Sequence, residues 1–595
     1  MKRSYAILFI LLSILSFNCQ KETSMEDGGF QPGLNSKDPV TATVQGNVVD
    51  ENGTPAAGVS IKVGNKVVQT DAKGYFRIIN ASLDRSSSLV TAEKPGYFKS
   101  YRTFQASSAA NHIKIKLLKR SLTGTISAGG GDVALANGSK VSLPANAVVK
   151  AAGGTYTGDV RVYAAYIDPT ANDIDVAVPG SFTADNTEGN RVILASYGMI
   201  AVELESTTGE KLQIADGKEA LLNMPIPTSL QSSAPSSISL WYVNEETGIW
   251  KEEGKAVRSG NTYSGSVKHF SFWNCDIGLP TVTLTLSLKN EKGIPLVHTG
   301  VRLKGYANGG LVQAYGYTDS LGMINGLVLA GQTLTLEVLG GECNNVIYTT
   351  TTGPFTTNTN IGTITISSVN AAIITIKGKL VNCVGAPVTN GTALINVENN
   401  SYYVSTDQQG GFSMAYIKCG TNTQPVAIIG IDNTEMQQGT AAGLTLGTSP
   451  ELNAGNITAC GVSAAEFVNY TVDGTNYQLN NFNPSDSFTY YTYPWQEPST
   501  QVAHSLGASN LAAGKLVWIW SISPAAAAGS FPMDRLSVNQ YGSVNLISPS
   551  TISVTTYPQV VGGFIEGSFS GSFRDSMQQN PIHVINGSFR LRRQR

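Results

Sequence analysis

Short runs in which apolar and polar residues alternate recur along almost the whole 595-residue chain. Clear examples lie at 113–117, 282–288, 333–338 and 364–366. Alternation with a period of two buries one face of a β-sheet and exposes the other. Turns rich in Gly, Asn and Asp separate the runs, and helical periodicity of useful length is hard to find. We therefore predict an all-β chain, organised as a multidomain string of small β-sandwiches.

An internal repeat organises part of this string. The segments 48–76, 288–322 and 380–410 share a strand, a Gly-x-Pro turn, a second strand and a Thr-Asp-x-x-Gly turn. Gly supplies the positive φ that the turn needs, and Pro stops the ladder before the next strand. The Asp side chain can accept hydrogen bonds from backbone N–H groups two residues on. The alternative is that these Asp residues bind calcium, but turn chemistry already explains an isolated Asp before Gly.

The first and third repeats resemble the carboxypeptidase-regulatory-like domain, a small transthyretin-like β-sandwich, and the second resembles it more weakly. In metallocarboxypeptidases this domain lies beside the catalytic domain and is not itself catalytic. The zinc motif of those enzymes is His-x-x-Glu, and none of the five histidines here is followed by Glu at that spacing. The resemblance therefore implies a binding module, and we predict that the chain is not an enzyme.

The region 122–278 has sequence motifs that differ from those of the repeats. Its motifs at 141–148, 240–254 and 269–274 resemble a ZU5-type β-domain, which implies protein–protein contacts. Its aromatic residues could form a platform for sugar, but core packing is favoured because buried aromatics dominate sandwich cores; they are Trp241, Tyr242, Trp250, Phe270, Phe272 and Trp273. Asp168, Asp173 and Asp175 could gather on one loop as calcium ligands, although they lack EF-hand spacing. No other cofactor is expected.

The N-terminus carries the features of an export signal. Lys2 and Arg3 precede an apolar run at 6–15 that is too short to span a bilayer stably, and Cys19 follows. This resembles the lipobox of bacterial lipoproteins, in which the cysteine carries lipid. The charged stretch at 20–27 resembles the surface-export signal of Bacteroidetes lipoproteins, or is a plain solvated tether. We predict an exported outer-membrane lipoprotein exposed on the cell surface, with the membrane as a partner through Cys19.

The cysteines, the net charge and a C-terminal aromatic cluster lead to three further predictions. Cys383, Cys419 and Cys460 fall in one predicted domain, so a disulfide between two of them is expected, with the pairing left open. The net charge is −2, so the chain lacks the basic footprint of a nucleic-acid-binding protein.

Near the C-terminus, aromatic residues cluster at Tyr490, Tyr491, Tyr493 and Trp495. We predict an exposed ligand patch there.

The predicted division of the chain has seven parts. These are a signal peptide at 1–18, a lipidated tether at 19–42, carboxypeptidase-regulatory-like sandwiches at 43–120 and 370–461, a ZU5-like domain at 121–277, a repeat sandwich at 278–369 and a C-terminal β-domain at 462–595. The predicted function is a non-catalytic, lipid-anchored envelope protein that serves binding, adhesion or scaffolding. The alternative is a polysaccharide-binding accessory lipoprotein of a nutrient-uptake system. Sugar binding predicts exposed coplanar aromatics, whereas protein adhesion predicts a flat apolar patch or a free sheet edge.

Overall fold

The computed structural model describes residues 31–32, 38–64, 66–340, 345–367, 372–435, 437–463, 466–481, 486–495, 501–575 and 581–594. The predicted signal peptide and Cys19 lie outside the described residues. The predicted all-β class, a multidomain string of small sandwiches, is confirmed. The described residues form 47 strands, a single short α-helix and three 3₁₀ turns, at Thr228–Leu230, Leu511–Ala513 and Asn539–Tyr541. None of the helices in these residues has the length and apolar character needed to cross a membrane.

The first sandwich follows β1 (Gln31–Pro32) and packs two sheets face to face. Its strands are β2 (Pro39–Val49), β3 (Ser60–Val63), β4 (Lys66–Gln69), β5 (Tyr75–Asp84), β6 (Ser88–Glu93), β7 (Ser100–Phe104) and β8 (Asn111–Lys116). One sheet has the order β5-β2-β8, in which β2 pairs antiparallel with β5 and parallel with β8. The other has the order β4-β3-β6-β7. Alternating apolar residues from both sheets fill the space between them.

The central domain is one large sheet that curls around its own core. Its elements are β9 (Leu122–Ile126), β10 (Gly131–Ala134), β11 (Lys140–Leu143), β12 (Val148–Lys150), β13 (Val160–Ile167), α1 (Ile174–Ala177), β14 (Thr183–Asp185), β15 (Asn190–Ser206), β16 (Lys211–Ile214), β17 (Ala220–Pro225), β18 (Ser237–Val243), β19 (Trp250–Ser259), β20 (Thr262–Val267) and β21 (Phe272–Leu279). The main path runs β10-β11-β17-β20-β19-β18-β21-β15-β13-β9, and β1 pairs with β15. Trp241, Trp250 and Trp273 are fully buried. The preference for core packing over a sugar platform is therefore confirmed for these three residues.

The third sandwich repeats the arrangement of the first. Its strands are β22 (Thr281–Asn290), β23 (Gly300–Ala307), β24 (Gly310–Tyr317), β25 (Met323–Leu329), β26 (Leu334–Leu339), β27 (Val346–Thr352) and β28 (Thr359–Ile366). The sheet orders are β25-β22-β28 and β24-β23-β26-β27. As in the first sandwich, the opening strand pairs antiparallel with one neighbour and parallel with the last strand.

The fourth sandwich has the same plan with an enlarged second sheet. Its strands are β29 (Ile373–Val381), β30 (Gly391–Val397), β31 (Asn400–Ser405), β32 (Gly411–Ile417), β33 (Gln424–Asp432), β34 (Gln437–Gln438), β35 (Ala442–Leu446), β36 (Glu451–Thr458) and β37 (Val462–Ser463). The sheet orders are β32-β29-β36 and β31-β30-β33-β34-β37. A disulfide joins Cys383, just after β29, to Cys460, just after β36. This is one of the pairings that the sequence left open.

The C-terminal domain is a single sheet of long strands. They are β38 (Phe467–Val472), β39 (Thr475–Asn480), β40 (Ser487–Pro494), β41 (Val502–Asn510), β42 (Lys515–Ser523), β43 (Gly529–Val538), β44 (Gly542–Ser543), β45 (Asn545–Thr556), β46 (Phe564–Arg574) and β47 (Ile582–Arg592). The main path is β39-β38-β47-β46-β45-β43-β42-β41-β40. Strands from both ends of this path share one apolar core, so the sheet wraps around it.

The predicted turn chemistry of the repeats is confirmed by hydrogen bonds. The carboxylate of Asp71 accepts from the backbone N–H of Lys73 at 2.7 Å, and Asp407 accepts from Gln409 at 2.8 Å. Asp319 does the same in the third sandwich, from the N–H of Leu321 at 2.8 Å. Each of these aspartates therefore closes its own turn, as a local side-chain-to-backbone bond does.

Candidate functional site

The first sandwich, residues 38–120, contacts each of the other four domains, and we call it the hub. The contacts run from the Thr103 N–H to the Gly180 carbonyl at 3.0 Å, from the Ser107 hydroxyl to Asp319 Oδ2 at 2.8 Å, from the Arg77 guanidinium to the Tyr403 ring centre at 3.7 Å, and from the Tyr491 hydroxyl to the Arg77 carbonyl at 3.4 Å. The domains that follow one another along the chain therefore gather around the hub in space.

Ion pairs attach the hub to the central domain. Arg120 donates from Nε to Glu203 at 2.6 Å and from Nη2 to Glu205 at 2.5 Å. The Arg120 side chain is 16% exposed, and its guanidinium lies 3.6 Å from the ring centre of Tyr163. A half-buried, two-point arginine of this kind fixes orientation better than an exposed pair does.

Stacked rings attach the hub to the third and fourth sandwiches. The His112 ring stacks on His298 with centroids 4.4 Å apart, and His298 stacks on Tyr402 at 5.0 Å. Burial lowers the pKa of His112 to about 3. His112 is therefore neutral at physiological pH, and the stack of rings joins three domains.

The predicted ligand patch at the C-terminal domain is wrong. Tyr490, Tyr491 and Tyr493 are buried, and Trp495 is half-buried against Trp520, with ring centroids 4.7 Å apart. The strand β40 sends alternate side chains to opposite faces, and both faces are covered. Tyr490 faces the domain's own core, whereas Tyr491 enters the apolar core of the hub.

The predicted calcium ligands do not converge. Asp168 accepts from the Thr170 N–H at 2.8 Å in its own loop. Asp173 pairs with Lys116 at 2.5 Å, and Asp175 accepts from Arg302 Nη1 at 3.0 Å. Cationic side chains thus pair with Asp173 and Asp175, whereas Asp168 closes its own loop. Across the described ranges, no group of three or more His, Cys, Asp or Glu side chains could hold a metal ion.

The remaining cysteines take structural positions. Cys419 is also disulfide-bonded, and Cys275 is a buried free thiol in the central domain. Burial raises the pKa of the Cys275 thiol well above its usual value. The lipidation site Cys19 lies outside the described residues.

A cavity of about 140 Å³ lies where the hub, the central domain and the third sandwich meet. One side is apolar and belongs mainly to the third sandwich; it includes Leu284, Leu286, Val301, Leu303, Ile324 and Val328. The other side is polar and includes Arg102 from the hub and Arg191 from the central domain. Three domains build this cavity, so it exists only in the assembled chain.

Arg102 is the unusual member of the cavity wall. It is 6% exposed, and no described residue forms a hydrogen bond or an ion pair with its guanidinium, whose centre lies 5.9 Å from the ring centre of Tyr315. Arg191 is 5% exposed; its Nε donates to Asp185 at 2.5 Å, but its Nη1 is buried without a partner. Sequence reasoning missed both residues, because an arginine within a strand carries no local sign that its end is buried.

Comparisons with known proteins find distant relatives. No protein-family model matches the chain. Human cartilage intermediate layer protein 1 is 28% identical over 225 residues, which cover 34% of this chain and 18% of that protein. Human cartilage intermediate layer protein 2 is 28% identical over 123 residues, which cover 20% of this chain and 10% of that protein. The chain thus matches less than a fifth of the length of these relatives.

Solved structures give only a weak likeness. A streptococcal ancillary pilin matches with a TM-score of 0.14 and 11% identity, covering 38% of this chain and 95% of that one. BcpA, the major pilin subunit of Bacillus cereus, matches with a TM-score of 0.11 and 9% identity, covering 70% of this chain and 99% of that one. Neither likeness assigns a function.

Proposed function

We propose that the chain is a non-catalytic, lipid-anchored protein of the cell envelope that acts as a binding and adhesion scaffold. The observation that carries this proposal is the hub. The first sandwich follows the predicted tether directly and packs against all four other domains through hydrogen bonds, ion pairs and stacked rings. Domains held in this way present their outer faces in fixed relative orientation, which suits a scaffold.

The chemistry of the buried polar groups supports a non-catalytic role. His504 and Ser523 resemble a base and a nucleophile, since Nε2 and Oγ are 2.7 Å apart. Both side chains are buried, the Ser523 hydroxyl donates to the Ala525 carbonyl at 2.7 Å, and burial lowers the pKa of His504 to about 4. A substrate has no access to this pair, and an imidazole with so low a pKa is a poor base at neutral pH.

The same proposal holds that the repeats are non-catalytic β-sandwiches. Three domains share the two-sheet plan that the carboxypeptidase-regulatory-like resemblance implies, and the ZU5-like resemblance of the central domain implies contacts with proteins. The polysaccharide alternative loses its main support, because the aromatic residues that it required are largely buried. Protein binding through the outer sheet faces is therefore the form of the function that we favour.

The anchor is tested by fractionation of a Gram-negative host that expresses the full chain. We expect the wild type in the outer-membrane fraction and open to protease on intact cells, and Cys19→Ser in the soluble fraction. Ser24→Ala is the matched control and should stay with the membrane. A soluble wild type, or a Cys19→Ser variant that remains membrane-bound, would contradict the lipid anchor.

The rigid scaffold is tested by small-angle X-ray scattering of the soluble Cys19→Ser chain. A compact chain of this length has a radius of gyration of about 25 Å. We expect a value near this one, because the hub holds the domains together. A much larger value with the scattering signature of a flexible string would count against the scaffold and leave the anchor untouched.

A further inference from the structure

The cavity between the hub, the central domain and the third sandwich contains a buried arginine that forms no direct ion pair with the residues that the structure describes. An arginine is almost never fully buried unless it is paired, because removing its charge from water is costly. Arg102 is 6% exposed and has neither a hydrogen bond nor an ion pair among the residues that the structure describes. Something that the protein alone does not supply is therefore expected at this guanidinium.

The acidic groups nearest to the cavity are already engaged. Asp175 Oδ2 accepts from Arg302 Nη1 at 3.0 Å and forms no ion pair with Arg102. Asp319 accepts from the Ser107 hydroxyl at 2.8 Å and from backbone N–H groups of its own turn. Both carboxylates are therefore held by other groups, although the charge of Asp175 also acts on Arg102.

A second cationic group opens onto the same cavity. Arg191 Nη1 is buried and without a hydrogen-bond partner. Asp185, which binds its Nε, is shared with Lys251 at 2.6 Å. His112 also lines the cavity and is neutral, because burial lowers its pKa to about 3. The groups that face the cavity thus favour an anion.

The opposite wall of the cavity indicates the chemistry of the part of the ligand beyond its anionic head. Leucine, isoleucine and valine side chains from β22, β23 and β25 form it, and they offer no hydrogen bonds to a polar body. Asp175 Oδ1, on the polar side, is buried without a hydrogen-bond partner. A guanidinium binds a carboxylate through two parallel N–H···O bonds.

We infer that this cavity binds an amphipathic carboxylate, a small molecule whose anionic head pairs with Arg102 and whose apolar body lies against Leu284, Leu286 and Leu303 of the third sandwich. The inference goes beyond the scaffold function and does not depend on the lipid anchor. Ser86 and Ser87, which are partly exposed and line the cavity, mark the side on which it reaches the surface.

The test is calorimetric titration of the soluble Cys19→Ser chain with octanoate and, as the uncharged match, 1-octanol. We expect one octanoate per chain, a higher melting temperature in its presence, and octanol binding weaker by about tenfold or more. Arg102→Met should lower octanoate affinity by about tenfold or more and remove the preference over octanol. Lys99→Met, which removes an exposed charge beside β7, should bind octanoate as the parent chain does.

Arg102→Met is expected to melt at or above the temperature of the parent chain, because it removes an unpaired buried charge while keeping the apolar stem. Should it fail to fold, Leu303→Phe provides the second variant: it leaves Arg102 in place, fills the apolar side and should abolish binding of both probes. Absence of saturable octanoate binding in the parent chain, or equal affinity in a folded Arg102→Met chain, would overturn the inference.

Discussion

The first and the fourth sandwich share the same sequence repeat but lie in different surroundings. In both, the opening strand is bridged to the proline of the Gly-x-Pro turn, Val49 to Pro55 in one and Val381 to Pro387 in the other. Both also place their last strand parallel to the first. Yet β8 of the first sandwich is buried along much of its length, whereas β36 of the fourth is mostly exposed.

This difference shows what a repeat does and does not specify. The shared turns and alternating strands are local, and they give both segments the same two-sheet plan. The residues outside the shared pattern decide what covers the outer faces. His112 of β8 stacks on His298 of the third sandwich, while the fourth sandwich uses the Cys383–Cys460 disulfide to close its ends. The fourth sandwich thus adds a covalent bond to its contacts with the neighbouring domains.

The largest effect is expected from removing the covalent bond. The disulfide spans a separation of 77 residues, and opening a loop of that length costs about 4 kcal/mol. In the double variant Cys383→Ala/Cys460→Ala, hydrogen exchange in β29 and β36 should therefore speed up strongly. Exchange in β2 and β8 should change little. An equal loss of protection in both sandwiches would refute the contrast.

The next effect comes from the turn glycines that both sandwiches share. Gly74 has φ +70°, and a Cβ there would lie 2.2 Å from the Val48 carbonyl oxygen. Gly410 has φ +77°, and its Cβ would lie 2.8 Å from the Leu380 carbonyl oxygen. We expect Gly74→Ala to cost about 3–4 kcal/mol and Gly410→Ala less, because backbone must shift further at Gly74.

Thermal unfolding of the two glycine variants measures the difference. Because four domains pack against the hub, Gly74→Ala should also destabilise the central domain. This domain contains three of the six tryptophans, so its unfolding can be followed by their fluorescence. Gly410→Ala should leave that signal in place. A central domain that responds equally to both variants would argue against the hub.

Tyr491 tests how much a distant domain contributes to the hub. Its ring belongs to the hub core although it lies on β40, and deleting a buried aromatic ring costs about 3 kcal/mol or more. Tyr491→Ala should therefore destabilise the first sandwich as well as the C-terminal domain, as read by hydrogen exchange in β5. Tyr477→Ala, on β39 of the same domain, is the matched control, and β5 should not respond to it.

The smallest effect is a dependence on pH that separates the two sandwiches. Burial lowers the pKa of His112 to about 3, below the value of an unfolded histidine. Below pH 6.5 the unfolded chain binds a proton that the folded hub excludes, so stability falls by about 1.4 kcal/mol per pH unit as the pH drops toward 3. The fourth sandwich contains no histidine between residues 372 and 463.

Exchange protection measured at pH 7 and pH 5 should therefore fall more in the hub than in the fourth sandwich, and His112→Gln should reduce the hub's dependence. A hub that keeps its protection at low pH, or a His112→Gln chain with an unchanged profile, would contradict the assignment of the acid sensitivity to this residue.

Much of the fold follows from local sequence features. Alternation with Gly and Asp turns predicts strands, and the observed hydrogen bonds of Asp71, Asp319 and Asp407 are the ones that turn chemistry dictates. The burial of the three core tryptophans of the central domain also agrees with the sequence-based expectation that they pack in a β-sheet core.

Which surfaces are exposed could be predicted from local sequence features far less well. The tyrosines of β40 form an aromatic cluster in the sequence, and such a cluster is compatible with either an exposed patch or two buried faces. Tyr491 is buried because it meets Arg77, 414 residues away along the chain. No pattern within β40 carries that information, so the exposed patch was the wrong expectation.

The sequence by itself determined the all-β class of the chain, because strand alternation, glycine turns and aspartate-closed hairpins act within about ten residues. Only the tertiary structure decided which sheet faces are covered, which carboxylates are paired with lysine or arginine, and where Arg102 ends without a partner. These depend on contacts between domains hundreds of residues apart. Packing between domains is set by the shape and charge of whole surfaces, which short-range patterns do not encode.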